Sequence, residues 1–338
     1  MLSRHADACY WIGRYVERAE AAARMVDVHY HAALESGLPP ESEFPGETAS
    51  PMQWKSLLAI SGVEDAYFSR YETENDRDVM EFFAFDTTNP NSIVSVWKSA
   101  RANARAIREQ LASEMWESLN ISYLELIEWN VERALSGSPH EFFQVVKNAS
   151  HLFQGILNRT MLMGEARDWL DAGRFLERGV QTARLLDVKY HDLLPAYQDS
   201  GDAAAKIGVE PLGVGSLLDM HGWIAVLKSV SAFEMFRKTY KTGIRPASVV
   251  DFLILNPQFP ASARHCIGRV DGCLRRISGS SVGDPGTEPE RLIGRLLADL
   301  TYSRPDEIIV SGLHEFLDDM QTRCAAVGNA ITRTYLLY

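Results

Sequence analysis

Charged side chains that recur in type and spacing are the first chemistry this sequence offers. Residues 13–31 read GRYVERAEAAARMVDVHYH and residues 173–191 read GRFLERGVQTARLLDVKYH, identical at ten of nineteen positions at an offset of 160. At 100° per residue, Glu17, Glu20, Arg24, Asp27 and His31 share a narrow helical arc with Gly13, flanked by Arg14 and Arg18. The second segment keeps Arg174, Glu177, Arg178, Arg184, Asp187 and His191, and replaces only Glu20, by Val180. Two chemistries fit this stripe. Pairs such as Arg14 with Glu17, Glu20 with Arg24, Arg24 with Asp27 and Asp27 with His31 lie one turn apart and can neutralise one another along the helix. Alternatively, arginines and carboxylates of the two helices line a symmetric Arg/Glu groove for an anion or a carboxylate-bearing ligand.

Asp27 with His31, and Asp187 with His191, each set a carboxylate and an imidazole one turn apart. Were the two turns to meet, four ligands would suit a divalent ion. An aspartate that merely orients a histidine is the commoner arrangement, so no metal is expected. Lys98, Arg101, Arg105 and Arg108 follow a 3-4-3 spacing and predict a basic strip on one helix, which is most often solvated. Phosphate-binding glycine loops, HExxH and ExxH are absent from the sequence, so the familiar nucleotide, metalloprotease and di-metal templates find no match. The recurring His-Glu-Phe at His140 and His314 reads as a helix start, and the seven tryptophans read mainly as core.

These residues need long helices to position them. Segments 4–35, 92–111, 114–135 and 140–163 lack interior proline, are rich in Ala, Leu, Arg and Glu, and space apolar residues at three and four. Breaker clusters at 36–51, 87–91 and 136–139 have counterparts around Pro195 to Pro211, Asn256 to Pro260 and 278–289. Further matches keep their order: VMEFFAF at 79–85 with VVDFLIL at 249–255, residues 92–107 with 262–277, and 140–162 with 314–336. The expectation is an all-α, internally duplicated antiparallel helix bundle with pseudo-twofold symmetry, its repeats at 1–162 and 163–338 forming one compact unit.

The chain has 338 residues, 34 basic and 45 acidic, for a net charge of −11. That balance argues against coating nucleic acid or an anionic membrane, since counterion release needs a basic face. Charged residues interrupt every apolar run before it reaches bilayer length, and charges at Arg4, Asp7, Arg14, Glu17 and Arg18 occupy the place of a signal-peptide core, so a cytoplasmic location is expected. The four cysteines form no CxxC pair and read as buried thiols.

The opening Met1-Leu2-Ser3-Arg4, Tyr10-Trp11, Gly13-Arg14-Tyr15 and Glu17-Arg18-Ala19-Glu20 resembles the start of the bacterial alpha-E domain family. The second GRFLERG segment, residues 92–109 and GLHEFLDD near the C-terminus are similar too, so the likeness runs nearly end to end. The resemblance implies an all-helical accessory or partner of a circularly permuted ATP-grasp protein, in an amide- or peptide-bond-forming modification system that often includes a transglutaminase-like protein. It implies that ATP and Mg belong to the ATP-grasp partner, that the helical component needs no cofactor of its own, and that the ligase or its peptide substrate binds the groove. Arg167, where the pattern expects an aromatic residue, and Gly179-Val180, in place of Ala-Glu, depart from the family. Two alternatives remain: an enzyme using stripe carboxylates or the Asp/His pairs, and a structural scaffold in which the stripe is an internal salt-bridge network.

Overall fold

The computed structural model describes residues 1–36, 54–55, 57–58, 61–193, 217–241 and 243–337. Two long helices organise it, α1 (Ser3–Ser36) and, as numbered in chain order below, α8 (Glu165–Leu193). At 1.5 Å per residue α1 is about 50 Å long, long enough to serve as a spine for shorter helices. Between the two lie α2 (Glu64–Phe68), α3 (Asp76–Met80), α4 (Ile93–Ala106), α5 (Ser113–Leu126), α6 (Val131–Ser136) and α7 (Pro139–Thr160). After α8 come α9 (Leu217–Ser229), α10 (Phe233–Thr239), α11 (Pro246–Val250), α12 (Ala263–Ser278), α13 (Glu288–Tyr302), α14 (Pro305–Ser311) and α15 (Leu313–Ile331). No strand occurs among the described residues, and no described helix is long and apolar enough to cross a membrane.

Local chemistry sets many of the boundaries. Asn75, Ser92, Asn130 and Ser262 cap α3, α4, α6 and α12 by accepting from the backbone N–H three residues on. Pro139, Pro246 and Pro305 begin α7, α11 and α14, where a missing N–H costs nothing. The predicted helix over 114–135 is two helices, because Asn130 adopts an extended backbone and caps α6 while Trp129 packs its ring 5.7 Å from Phe142. Likewise the helix predicted to run to residue 111 ends at Ala106 and passes into a 3-10 turn, Arg108–Gln110. Both α3 and α11 widen into a π turn, Glu81–Phe85 and Asp251–Leu255, which sends four consecutive apolar side chains into the core.

Some local details recur between the two halves of the chain. Tyr67 stacks on Tyr71 at 5.0 Å with Phe82 edge-on to both, as Phe236 stacks on Tyr240 at 4.9 Å with Phe252 edge-on to both. The buried apolar side chains form one continuous cluster running through both halves of the chain. All four cysteines are buried free thiols, and burial pushes each of them up to about 12, out of the reactive range.

Two shorter helices run antiparallel to the long helix they pack on: α7 on α1 (Glu17 to Gln154, Glu20 to Ser150, Asp27 to His140), and α12 on α8 (Asp168 to Arg276, Thr182 to Ala261). The two long helices instead run parallel to one another. The Met1 ammonium meets Glu165, and Arg18 meets Glu177, so like ends lie together. Their crossing is set by Gly13 and Gly173. A Cβ at Gly13 would overlap the Leu170 carbonyl and lie 2.8 Å from the Arg174 nitrogen, and one at Gly173 would overlap the Tyr10 carbonyl. Only glycine lets the backbones come this close, so Gly13, placed on the polar stripe by the wheel, is the point of contact between the spines.

Candidate functional site

Immediately beyond the glycines, the stripe residues of one helix clasp those of the other. Arg14 donates from Nε to Glu177 Oε2 at 2.7 Å, and Arg18 donates from Nε to Glu177 Oε1 at 2.8 Å. The return contact is Arg178 Nε to Glu17 Oε2 at 2.9 Å, with Gln154 of α7 donating to the other Glu17 oxygen at 2.8 Å. Arg14 thus pairs across the crossing rather than with Glu17 on its own helix. Both carboxylates are buried, Glu17 at 5% and Glu177 at 2% exposure.

The clasp is not even-handed. Arg174, which sits where Arg14 does in the first segment, pairs with Asp171 at 2.9 Å on its own helix. Position 11 is Trp and position 171 is Asp, so only the second helix offers its arginine a carboxylate three residues back; Arg14 instead lies 5.3 Å from the Trp11 ring. Glu177 is left with two cations and Glu17 with one. Burial opposes charge on Glu177, yet Arg14 and Arg18 hold it well below the ordinary carboxylate range. Burial prevails at Glu17, whose neighbour Glu20 adds repulsion, and its carboxyl is raised despite Arg178.

Farther along α1, Glu20 accepts from Arg24 Nη2 at 2.8 Å, from Ser150 at 2.6 Å and from Gln154 at 3.3 Å, with His151 at 3.2 Å. Although burial opposes it, the hydrogen bonds of His151 and Ser150 and the Arg24 charge bring Glu20 down to about 2. Asp27 turns to α7, meeting His140 Nδ1 at 3.0 Å and Lys147 Nζ at 2.8 Å, while His31 stands 3.5 Å away. Asp187 pairs with His314 of α15 at 2.8 Å. The aspartates thus face different helices, and the four-ligand site across the axis does not form from Asp27 and Asp187. No hydrogen bond or ion pair joins α1 to α8 beyond Arg18 and Arg178 among the described residues. The His191 side chain lies outside the described residues.

One smaller set is metal-competent by position: Asp27, His31 and His140 offer a carboxylate and two imidazoles within 4.8 Å of one another. The spacing found Asp27 and His31; His140, read as a helix start, supplies the third group. Lys147 holds the other side of the same carboxylate, which weakens it as a ligand.

The basic strip is divided. Arg101 lies 4.9 Å from the Tyr123 ring and donates to Asn120 at 2.8 Å, and Arg108 lies 4.5 Å from the Trp116 ring. Lys98, Arg105 and Arg108 are exposed, and Arg101 is half-buried. Two of its four charges therefore pin α5 to α4 and its flanking turn, and Arg108 sits on the 3-10 turn rather than the helix the spacing assumed. Arg167, the departure from the family pattern, donates to the carbonyls of Leu157 and Met161 at 2.8 and 3.4 Å and so ties the end of α7 to the start of α8.

Open space lies on both sides of the clasp. One cavity, about 280 Å³, is walled by Glu17, Glu20, Arg24, Arg178, Leu185 and the Phe259-Pro260-Ala261 turn. The other, about 320 Å³, is walled by Arg14, Arg18, Glu177, Arg184 and the turn bearing Asn89 and Asn91. Gln181 borders both, and donates to Glu177 at 2.9 Å. Asn89, Asn91, Gln154 and Gln181 are wall residues that charge spacing passes over; the matching loops before α4 and α12 were the available signal.

Fold and site together define an all-helical protein built around paired Glu-Arg steps. The chain belongs to the Alpha-E family, described as a predicted alpha-helical domain with a conserved ER motif, whose profile matches residues 1–336. Glu-Arg occurs four times in the sequence, and Glu17-Arg18 and Glu177-Arg178 are the two that pair with each other. The chain is similar to uncharacterized proteins of Mycobacterium bovis (strain ATCC BAA-935 / AF2122/97) and Mycobacterium tuberculosis (strain CDC 1551 / Oshkosh). Each is 24% identical over 356 aligned positions that cover 97% of this chain. This chain spans 36% of the length of those relatives. No solved structure matches it.

Proposed function

We propose that this chain is the helical partner module of a circularly permuted ATP-grasp ligase in an amide- or peptide-bond-forming system, made of repeats 1–162 and 163–338 and working in the cytoplasm. The ligase supplies ATP and Mg; a peptide substrate or a segment of the ligase enters beside the α1/α8 crossing, with a transglutaminase-like protein as a further component of the system. The observation that carries this reading is the pair of cavities, each walled by both long helices and sharing Gln181. Both carboxylates of the clasp are satisfied internally, so the clasp sets the geometry, as the scaffold reading holds; the adjoining walls do the recognising. The family resemblance supplies the ligase as partner.

The test is co-purification and reconstitution with the ATP-grasp protein encoded beside this one, using Gln181→Phe to fill the wall common to both cavities. Loss of product or complex with helical content and melting temperature retained supports the reading; an unimpaired complex and full product overturn it. Arg14 and Arg174 are poor choices for that test, because each is committed to a buried carboxylate. The Asp27, His31 and His140 cluster favours the second reading, an enzyme in its own right, which requires turnover without the ligase and metal in stoichiometric amount.

A further inference from the structure

Arg24 and Arg184 occupy the same place in the repeated segment, yet their circumstances differ. Arg24 has a carboxylate one turn earlier, Glu20, and binds it through Nε at 3.0 Å and Nη2 at 2.8 Å; it also donates to Ser231 at 2.7 Å. One turn before Arg184 stands Val180, which offers nothing. Among the described residues no carboxylate lies within ion-pair distance of Arg184, and its hydrogen bond there is a long one, 3.4 Å to Gln321. The carboxylate acting on it, Glu177, is already held by Arg14 and Arg18, whose own charges repel Arg184. Burial accordingly lowers the Arg184 guanidinium from its ordinary value. Leaving a cation without a partner in a partly buried place is costly, unless something else completes it.

The cavity it borders tells what. Its walls carry three guanidinium groups, Arg14, Arg18 and Arg184, against the single carboxylate of Glu177, an excess of two positive charges among the described wall residues. The opposite cavity carries Arg24 and Arg178 against Glu17 and Glu20, which cancel. We propose that the cavity between Arg14, Arg18 and Arg184 is a binding site for a phosphate dianion, free or as a phosphate monoester, with Arg184 as its dedicated ligand. Guanidinium forks match phosphate oxygens in geometry, and a phosphate near neutral pH carries the charge that offsets the excess. A volume of about 320 Å³ leaves room for a small ester group beyond the phosphate itself. The inference deepens the reading of the cavities given above and names the chemistry of one of them. Anion binding by the isolated chain tests it directly, whereas complex formation with the ligase tests the function, so either can fail alone.

Isothermal titration of the purified full chain at fixed ionic strength, with inorganic phosphate, phenyl phosphate and acetate, reads it out. Saturable binding of phosphate or phenyl phosphate, with acetate weaker by at least tenfold, is expected; the better of the two phosphates identifies the source as free or esterified. Arg184→Gln is expected to weaken phosphate at least tenfold. Val180→Glu, which gives Arg184 the partner that Glu20 gives Arg24, is expected to do the same without loss of melting temperature. Arg24→Gln, in the other cavity, is expected to leave phosphate affinity within twofold. No saturable phosphate binding to the natural protein overturns the proposal, as does acetate binding as tightly as phosphate, or unchanged affinity in a folded Val180→Glu.

Discussion

Arg14 and Glu177 are 163 residues apart in sequence and 2.7 Å apart in space, and Glu177 has a second cation in Arg18 where Glu17, across the crossing, has Arg178 alone. Removing the two carboxylates should therefore have unequal effects. Glu177→Gln strands two arginines in a partly buried place and is expected to lower stability by about 3 kcal/mol, within the range for breaking a buried pair. Glu17→Gln replaces a carboxyl that burial already holds upward, and is expected to cost less than half as much. Urea unfolding of both variants at pH 7 provides the comparison; equal losses would show that the clasp is symmetric in energy.

Acid should reveal the same network through Glu20. Its folded carboxyl lies near 2, below the unfolded value of 4.5, so its contribution is complete above the unfolded value and is lost as pH falls towards 2. Glu177 acts in the same direction, and Glu17, raised in the fold, acts in the opposite one. Stability is expected to fall between pH 5 and 3, and Glu20→Gln is expected to flatten that slope while lowering the plateau at pH 7. Chemical denaturation across that pH range gives the slope; an unchanged slope in Glu20→Gln would remove Glu20 from the account.

Much of this arrangement can be read from residue types and little of it from pairings. The identity of Arg14, Glu17, Arg18 and their counterparts at 174, 177 and 178 marks them as fixed, because a solvated face needs only polarity. Which arginine meets which carboxylate depends on the parallel crossing at Gly13 and Gly173, and helix periodicity carries no information on the direction in which two helices pack. The Glu20 to Val180 difference was visible in sequence as a loss of acidity; its meaning, an arginine left without its partner, needed Arg184 to be placed in a cavity wall. His140 does stand at the start of α7, as its His-Glu-Phe context indicated, but its pairing with Asp27, 113 residues away, is not legible from spacing. The breaker runs at 36–51 and around Pro195 to Pro211 lie outside the described residues apart from Ser36.

His314 should report on α15 docking in the neutral range. Its hydrogen bond with Asp187 raises the imidazole from the ordinary 6.5, against a smaller opposing effect of burial. A histidine raised in the fold adds stability that is complete below its unfolded value and is lost as pH rises through the folded one. His314→Ala is therefore expected to lower the melting temperature more at pH 6 than at pH 8.5. Nuclear magnetic resonance of the imidazole should place its midpoint above 6.5, and a midpoint at or below that value would contradict the pairing.

Zinc offers a check on the Asp27, His31 and His140 cluster. Lys147 and His140 already occupy the Asp27 carboxylate, so equimolar zinc is expected to leave the melting temperature of the natural chain unchanged. Lys147→Ala frees one oxygen and is expected to strengthen zinc binding, read as a metal-dependent rise in melting temperature. A large rise in the unaltered protein would instead favour a resident metal and the enzymatic reading.

The glycine crossing makes the strictest demand on the fold. A methyl group at Gly13 or Gly173 overlaps a backbone carbonyl of the facing helix, which cannot rotate away as a side chain could. Separating the helices to admit it would also pull Arg14 and Arg18 from Glu177 and Arg178 from Glu17, so packing and electrostatics fail together. Gly13→Ala and Gly173→Ala are expected to destabilise by several kcal/mol, each as severe as the other, in spite of the better helix propensity of alanine. Gly155, exposed on α7 with nothing within 4 Å of an added Cβ, is the control, and Gly155→Ala is expected to stabilise by about 1 kcal/mol. Thermal unfolding of the three variants separates the cases, and a neutral or stabilising effect at Gly13 would show that the long helices do not touch where their glycines meet.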